Sequence, residues 1–230
     1  MLVTGFPAGS FAANCYVVAP EAGAECVIID PGQDAQRGIE ETVARHRLKP
    51  IAVLLTHGHI DHVWSVAPVC GARGIPAYIH PDDRELLSDP AKGLSLNVGQ
   101  QLFGGLTFSE PDDVLELSDG AALSLAGLEF VVRHVPGHTE GSVTFGTGGD
   151  TTDRSGDEVL FSGDLLFAGS IGRTDLPGGD HHAMLRSLER TLTLPDGTVV
   201  LPGHGPQTTI GAERRGNPFL VGLRPAQTGL

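Results

Sequence analysis

The sequence predicts an α+β chain folded as a four-layer αββα sandwich. β-Rich runs cluster in residues 1–30 and again in 123–201, and helical patterns lie between them. Side chains able to bind metal recur just past four of the β-rich runs. Strand ends that converge on one edge would gather those side chains into one site at the rim of two packed sheets. Residues 1–230 read as a single domain, because no linker-like stretch, low-complexity segment or short-period repeat divides them.

Along the chain, Asn14-Cys15-Tyr16-Val17-Val18 and Cys26-Val27-Ile28-Ile29-Asp30 read as strands of a hairpin, and Asp30-Pro31-Gly32 ends the second in a turn. Residues 34–47 place Ile39, Val43 and Ala44 on one helical face. Ile51-Ala52-Val53-Leu54-Leu55 is a short apolar run, the pattern of a strand covered on both faces. It leads into Thr56-His57-Gly58-His59-Ile60-Asp61-His62, where Gly58 permits a sharp turn. A helix from about Asp61 to Cys70 follows, then Ala77-Tyr78-Ile79 as a strand and a helix start at Pro81-Asp82-Asp83. Residues 88–112 show no clean period and read as irregular, a wall over the site. Hairpin strands flank Ala126-Gly127 and lead to Pro136-Gly137-His138. Val143-Thr144-Phe145 is a strand, residues 146–157 a polar surface loop, and Val159-Leu160-Phe161 runs into Ser162-Gly163-Asp164. After a helix over about 180–192, Thr198-Val199-Val200-Leu201 leads to Pro202-Gly203-His204, and the tail from Thr208 holds a short helix.

The formal charge of −13 disfavours nucleic acid, since no basic run offsets it. No apolar run reaches the ~20 residues of a membrane helix. Met1-Leu2-Val3-Thr4-Gly5-Phe6-Pro7 lacks the pattern of a secretion signal. The cysteines Cys15, Cys26 and Cys70 are odd in number, far apart and set in apolar surroundings, which suits reduced, buried thiols and a cytoplasmic location.

The chemistry rests on His57, His59, Asp61, His62, His138, Asp164 and His204. Five imidazoles and two carboxylates without a thiolate suit zinc, iron(II) or manganese(II) rather than calcium or copper(I). Seven donors exceed one tetrahedral site and suit two metals that share a carboxylate. His57 and His59, two apart, point the same way in extended backbone, whereas the adjacent Asp61 and His62 diverge towards a second centre. His46, His80, His134, His181 and His182 lack comparable spacing.

Thr-His-x-His-x-Asp-His over 56–62 resembles the signature of the metallo-β-lactamase-fold superfamily, with the later ligand candidates following in order. The resemblance implies that His57, His59 and His138 hold one metal, that Asp61, His62 and His204 hold the other, and that Asp164 bridges. Ile29-Asp30-Pro31-Gly32 is similar to the superfamily's first motif, in which the aspartate supports the metal loop. Pro136-Gly137-His138-Thr139-Glu140-Gly141-Ser142, Ser162–Phe167, Gly169–Asp175 and Glu213–Phe219 look like the glyoxalase II branch in its compact bacterial form. That branch hydrolyses S-acyl thioesters of the S-lactoylglutathione type. Only 26 residues follow His204, which leaves no room for the branch's C-terminal helical domain. The resemblance further implies attack by a metal-bridging hydroxide that Asp61, both ligand and catalytic residue, orients. Arg173 stands where the branch has a lysine that contacts the carboxylate of the thiol carrier, and is the expected substrate-binding residue; an ion pair with Asp175 or Asp180 is its alternative. The expected partner is a small-molecule thioester, with no nucleic acid and no membrane. A persulfide dioxygenase with one iron is the competing class. Lactonase or β-lactamase activity, or a metal-binding scaffold without catalysis, is less favoured.

Overall fold

A computed structural model describes residues 1–94, 106–148 and 159–223. Strands β1 (Leu2–Ala8), β2 (Ala13–Ala19), β3 (Glu25–Ile29), β4 (Lys49–Leu54), β5 (Ala77–Ile79) and β6 (Val114–Glu116) form one sheet in that spatial order. The second sheet draws on β7 (Ala122–Leu125), β8 (Leu128–His134), β9 (Val143–Thr147) and β10 (Val159–Gly163). After a small hairpin of β11 (Leu166–Phe167) and β12 (Ser170–Ile171), β13 (Val199–Pro202) and β14 (Thr208–Thr209) complete it in the order β14-β13-β10-β9-β8-β7. Helices α1 (Ala35–His46), α2 (Ile60–Val63) and α3 (Val66–Gly71) belong to the first half, α4 (His181–Thr191) and α5 (Ile210–Gly216) to the second.

Strand alternation makes the layers. Successive side chains face opposite ways, so Cys15, Val17, Cys26, Ile28, Val53 and Leu55 pack with Ala35, Ile39 and Val69 of the helices. Their neighbours Tyr16, Val18, Val27, Ile29, Ala52 and Leu54 turn inward, against Phe130, Val132, Phe145 and Phe161 of the second sheet. On the far side, Leu160, Leu166 and Val200 pack with Met184, Leu188 and Ile210. Three cores between four layers are the expected αββα sandwich.

Helix α1 buries Ala35, Ile39 and Thr42 along one face, close to the predicted 34–47. Helix α4 starts where Asp180 accepts hydrogen bonds from the His182 and Ala183 amides at 2.8 and 3.0 Å. The predicted 61–70 helix is instead two short ones, α2 and α3. Pro68 has no N–H to offer the Trp64 carbonyl, and the Ser65 amide goes to Pro31 O at 2.9 Å rather than back along the helix. Within the irregular stretch foreseen at 88–112, Pro90–Gly93 forms a 3-10 turn, and residues 95–105 lie outside the described part. Most of the loop foreseen at 146–157 lies outside it too, and Gly146 and Thr147 belong to β9.

Phe145 is fully buried between the sheets. Phe145→Ala is expected to cost ~3–5 kcal/mol in urea unfolding. A loss below ~1 kcal/mol would place that ring outside a packed core.

Candidate metal centre

All seven candidate donors gather at one edge of the sandwich, each just past the C-terminal end of a strand. Residues 57–62 follow β4, His138 lies between β8 and β9, Asp164 follows β10, and His204 follows β13. Donor atoms of His57, His59 and His138 form one close group, and those of Asp61, His62 and His204 another. His59 Nδ1 lies 2.8 Å from His138 Nε2, and His62 Nε2 lies 3.3 Å from His204 Nε2. Asp61 Oδ2 lies 3.1 Å from His204 Nε2. Asp164 stands between the groups, with Oδ2 3.4 Å from His138 Nε2 and Oδ1 3.4 Å from His62 Nε2.

The far side of each ring fixes which nitrogen faces the site. His62 Nδ1–H donates to Asp30 Oδ2 at 3.0 Å, and His138 Nδ1–H to the Arg173 carbonyl at 2.8 Å. The Thr56 hydroxyl donates to Asp30 Oδ2 at 2.6 Å, so its oxygen is left to accept from His57 Nδ1–H at 3.1 Å. In all three rings Nδ1 is therefore the hydrogen-bonded nitrogen and Nε2 the one that faces the centre, the atom a neutral ring would offer to a metal. Asp30 is thus more than a turn residue: it also accepts the Thr56 amide at 2.8 Å, and it holds a left-handed φ of 50°.

The residues fit a metal centre on two counts. His57 Nε2 and Asp164 Oδ1 are buried without a hydrogen-bond partner, a costly state for polar atoms. The second count is electrostatic. Burial, reinforced by the neighbouring His62, His138 and His59, pushes His57 well below the usual imidazole range. Burial and His138 bring His59 down to about 3, so both rings are neutral near pH 7. Burial also opposes charge on His62, but Asp164, Asp61 and Asp30 outweigh it and raise its pKa to about 10. At Asp61 burial again opposes charge, yet His62 and His204 hold the carboxyl well below the carboxylate range. The Asp61 side attracts positive charge, and the His57 side offers free lone pairs.

Residues that the sequence did not single out set the close approach. A Cβ on Gly203 would collide with Asp164 Oδ1 and come within 2.7 Å of His62 Cε1. Asn14 of β2 pins the same turn: its amide donates to Gly203 O at 2.7 Å and its Nδ2 to Pro202 O at 3.0 Å. The buried Glu213 accepts from the Gly169 amide and from Asn217 Nδ2, both at 2.8 Å, and ties the β11–β12 hairpin to α5. That hairpin sets Phe167 edge-on to His204, with ring centroids 6.1 Å apart.

Arg173 contributes its carbonyl to His138. Its guanidinium lies outside, in a two-pronged contact with Asp175 at 2.7 and 2.8 Å. His80 and His134 come together with Asp82, but the two rings stack at 7° and 4.1 Å. Lone pairs lie in the ring planes, so parallel rings do not converge on one ion. The three cysteines are free and buried, and burial raises Cys26 and Cys70 to about 12. Among the described residues no helix is long and apolar enough to cross a membrane.

Comparisons with known proteins agree with this architecture. A solved B3 metallo-beta-lactamase, BLEG-1, is 41% identical, with a TM-score of 0.81 over 96% of this chain and all of its own. TTHA1623, solved in a di-iron-bound form, is also 41% identical, with a TM-score of 0.76 over 94% of this chain and 100% of its own. The hydroxyacylglutathione hydrolase GloC of Haemophilus influenzae is 35% identical over 217 residues, 93% of this chain and 95% of that protein. The family model for the metallo-beta-lactamase superfamily matches residues 8–204, from the end of β1 through the last candidate ligand. The chain belongs to the metallo-beta-lactamase superfamily.

Proposed function

We propose that this protein is a binuclear metallohydrolase that cleaves small S-acyl thioesters of the S-lactoylglutathione type. The observation that carries the reading is the pairing of two three-residue donor groups about Asp164. Similarity to GloC supports the thioester class. Divalent ions held by these residues would act as Lewis acids that acidify water and polarise a carbonyl. Zinc suits the donor set best, and iron(II) or manganese(II) also fit it.

The chain's own residues decide where substrate enters. His57, His59, His62 and His138 are buried, whereas the side chains of Asp61 and His204 keep 21% and 31% of their exposure. Substrate therefore approaches from the Asp61–His204 side, past the ring of Phe167. A carboxylate at that position can accept a hydrogen bond from an attacking water and fix its direction. A thiolate leaves readily, so the site needs no strong general acid. Arg173, released from Asp175, supplies a guanidinium at the rim that suits a substrate carboxylate. A small-molecule partner accords with the acidic chain, and a reducing cytoplasmic setting with the free, buried cysteines.

Protein purified without chelator is expected to carry about two metal ions per chain by elemental analysis. A single iron that survives His204→Ala would overturn the binuclear reading. Asp61→Asn, which keeps the shape but removes a negative charge, should weaken the Asp61/His62/His204 metal position and lower turnover far more than Arg173→Ala does. Arg173→Ala should instead raise KM, by about tenfold for the loss of one charge-assisted contact, with kcat little changed. Its backbone carbonyl stays in place, so the orientation of His138 is untouched. The deciding assay is a substrate panel of thioesters of several thiols, a β-lactam, a lactone, and glutathione persulfide with oxygen monitored. Turnover of thioesters is the expected result. Oxygen consumption with the persulfide and no thioester cleavage would assign the protein to a different enzyme class.

A further inference from the structure

Asp83 carries a carboxylate that none of the chemistry above employs, yet it is 1% exposed. It sits in the 3-10 turn Pro81–Leu87, which follows β5. Its Oδ2 accepts the Gly58 amide and the Thr139 hydroxyl, each at 2.7 Å, and its Oδ1 accepts the Gly141 amide at 2.7 Å. Gly58 lies between His57 and His59, and Thr139 and Gly141 come directly after His138. One side chain thus reaches two loops separated by some eighty residues of chain, and those loops hold every member of the first donor group.

We infer that Asp83 is a positioning residue that clamps the His57–His59 loop to the His138 loop and so sets the geometry of the first metal position. A buried carboxylate is costly, and that cost is offset only when charge-assisted hydrogen bonds satisfy it. An apolar side chain would fill the same space without the penalty. What it would lack is direction: three short bonds fix both loops relative to one rigid, planar group. Glycine at both amide positions is part of the device. A Cβ on Gly141 would come within 2.7 Å of the Asp83 side chain, and one on Gly58 within 2.9 Å of the Asp83 carbonyl. Asp83 contacts none of the donors of the second group, so its influence is confined to one side of the centre.

This inference rests on the metal-centre reading, and one titration separates the two. Metal-free protein is titrated with Co2+ against a competing chelator, and the visible absorption of each binding step is followed. Wild type should bind two ions in resolvable steps. Asp83→Asn, which keeps the shape but turns an N–H towards a donor, should weaken the His57/His59/His138 step by ~10–100-fold. The Asp61/His62/His204 step should change less than threefold. Thr139→Val, which removes one donor and spares the carboxylate, should weaken the same step by a smaller factor. It also provides the reading if Asp83→Asn does not fold. A residue that merely stabilised the fold would lower the melting temperature and leave both steps unchanged, or shift both equally. Either result with a wild type that binds two ions overturns the clamp alone. A wild type that binds no Co2+ overturns both the clamp and the metal centre.

Discussion

Five imidazoles and two carboxylates crowded at the junction of two sheets are the constraint around which the rest of this structure is arranged. Such a cluster is unfavourable unless each ring knows which nitrogen to protonate and each carboxylate has positive charge beside it. The remedy lies one layer out. Asp30 serves His62 directly and His57 through the Thr56 hydroxyl, and the Arg173 carbonyl serves His138. Asp30 accepts a left-handed backbone to do so, a conformation that aspartate tolerates better than most side chains.

Much of this was legible in the sequence, and for a definite reason. Strands announce themselves through apolar runs, and ligand residues through unusual side chains, so β4 and the 56–62 loop could be read directly. The order His138, Asp164, His204 was readable because each follows a β-rich run in a Gly-containing turn. The split between α2 and α3 was readable in principle from Pro68, but the periodicity of Val63, Val66, Ala67 and Val69 masked it. The β11–β12 hairpin was hidden because two-residue strands have no pattern.

The supporting residues were the least legible. Asp83 reads as an ordinary helix-start aspartate, and nothing local shows that its partners are amides 25 and 58 residues away. Asn14 resembles any strand polar residue until the Pro202–Gly205 turn is seen resting on it. Glu213 and Asn217 belong to a recognisable tail phrase, but their role appears only when the tail folds back to hold Gly169 and Ser170. Hydrogen bonds to backbone carry no sequence signature on the receiving side. Arg173 shows the converse: its side chain drew attention, while in this conformation it is its carbonyl that touches the site.

The division of the donors between the two sheets has a thermodynamic corollary. His57, His59, Asp61 and His62 come from the first sheet, while His138, Asp164 and His204 come from the second. Any cation gripped by both sets adds a further tie between two half-cores that already meet through apolar contact and hydrogen bonds such as those of Asn14 and Asp83, and it is released when either half opens. Free metal thereby becomes a variable of the folding equilibrium. At a hundred times its dissociation constant, an ion that binds only the folded chain adds about 2.7 kcal/mol to stability. For a protein so arranged, the metal supply of its surroundings helps decide how much of the chain is folded, as well as how fast it works.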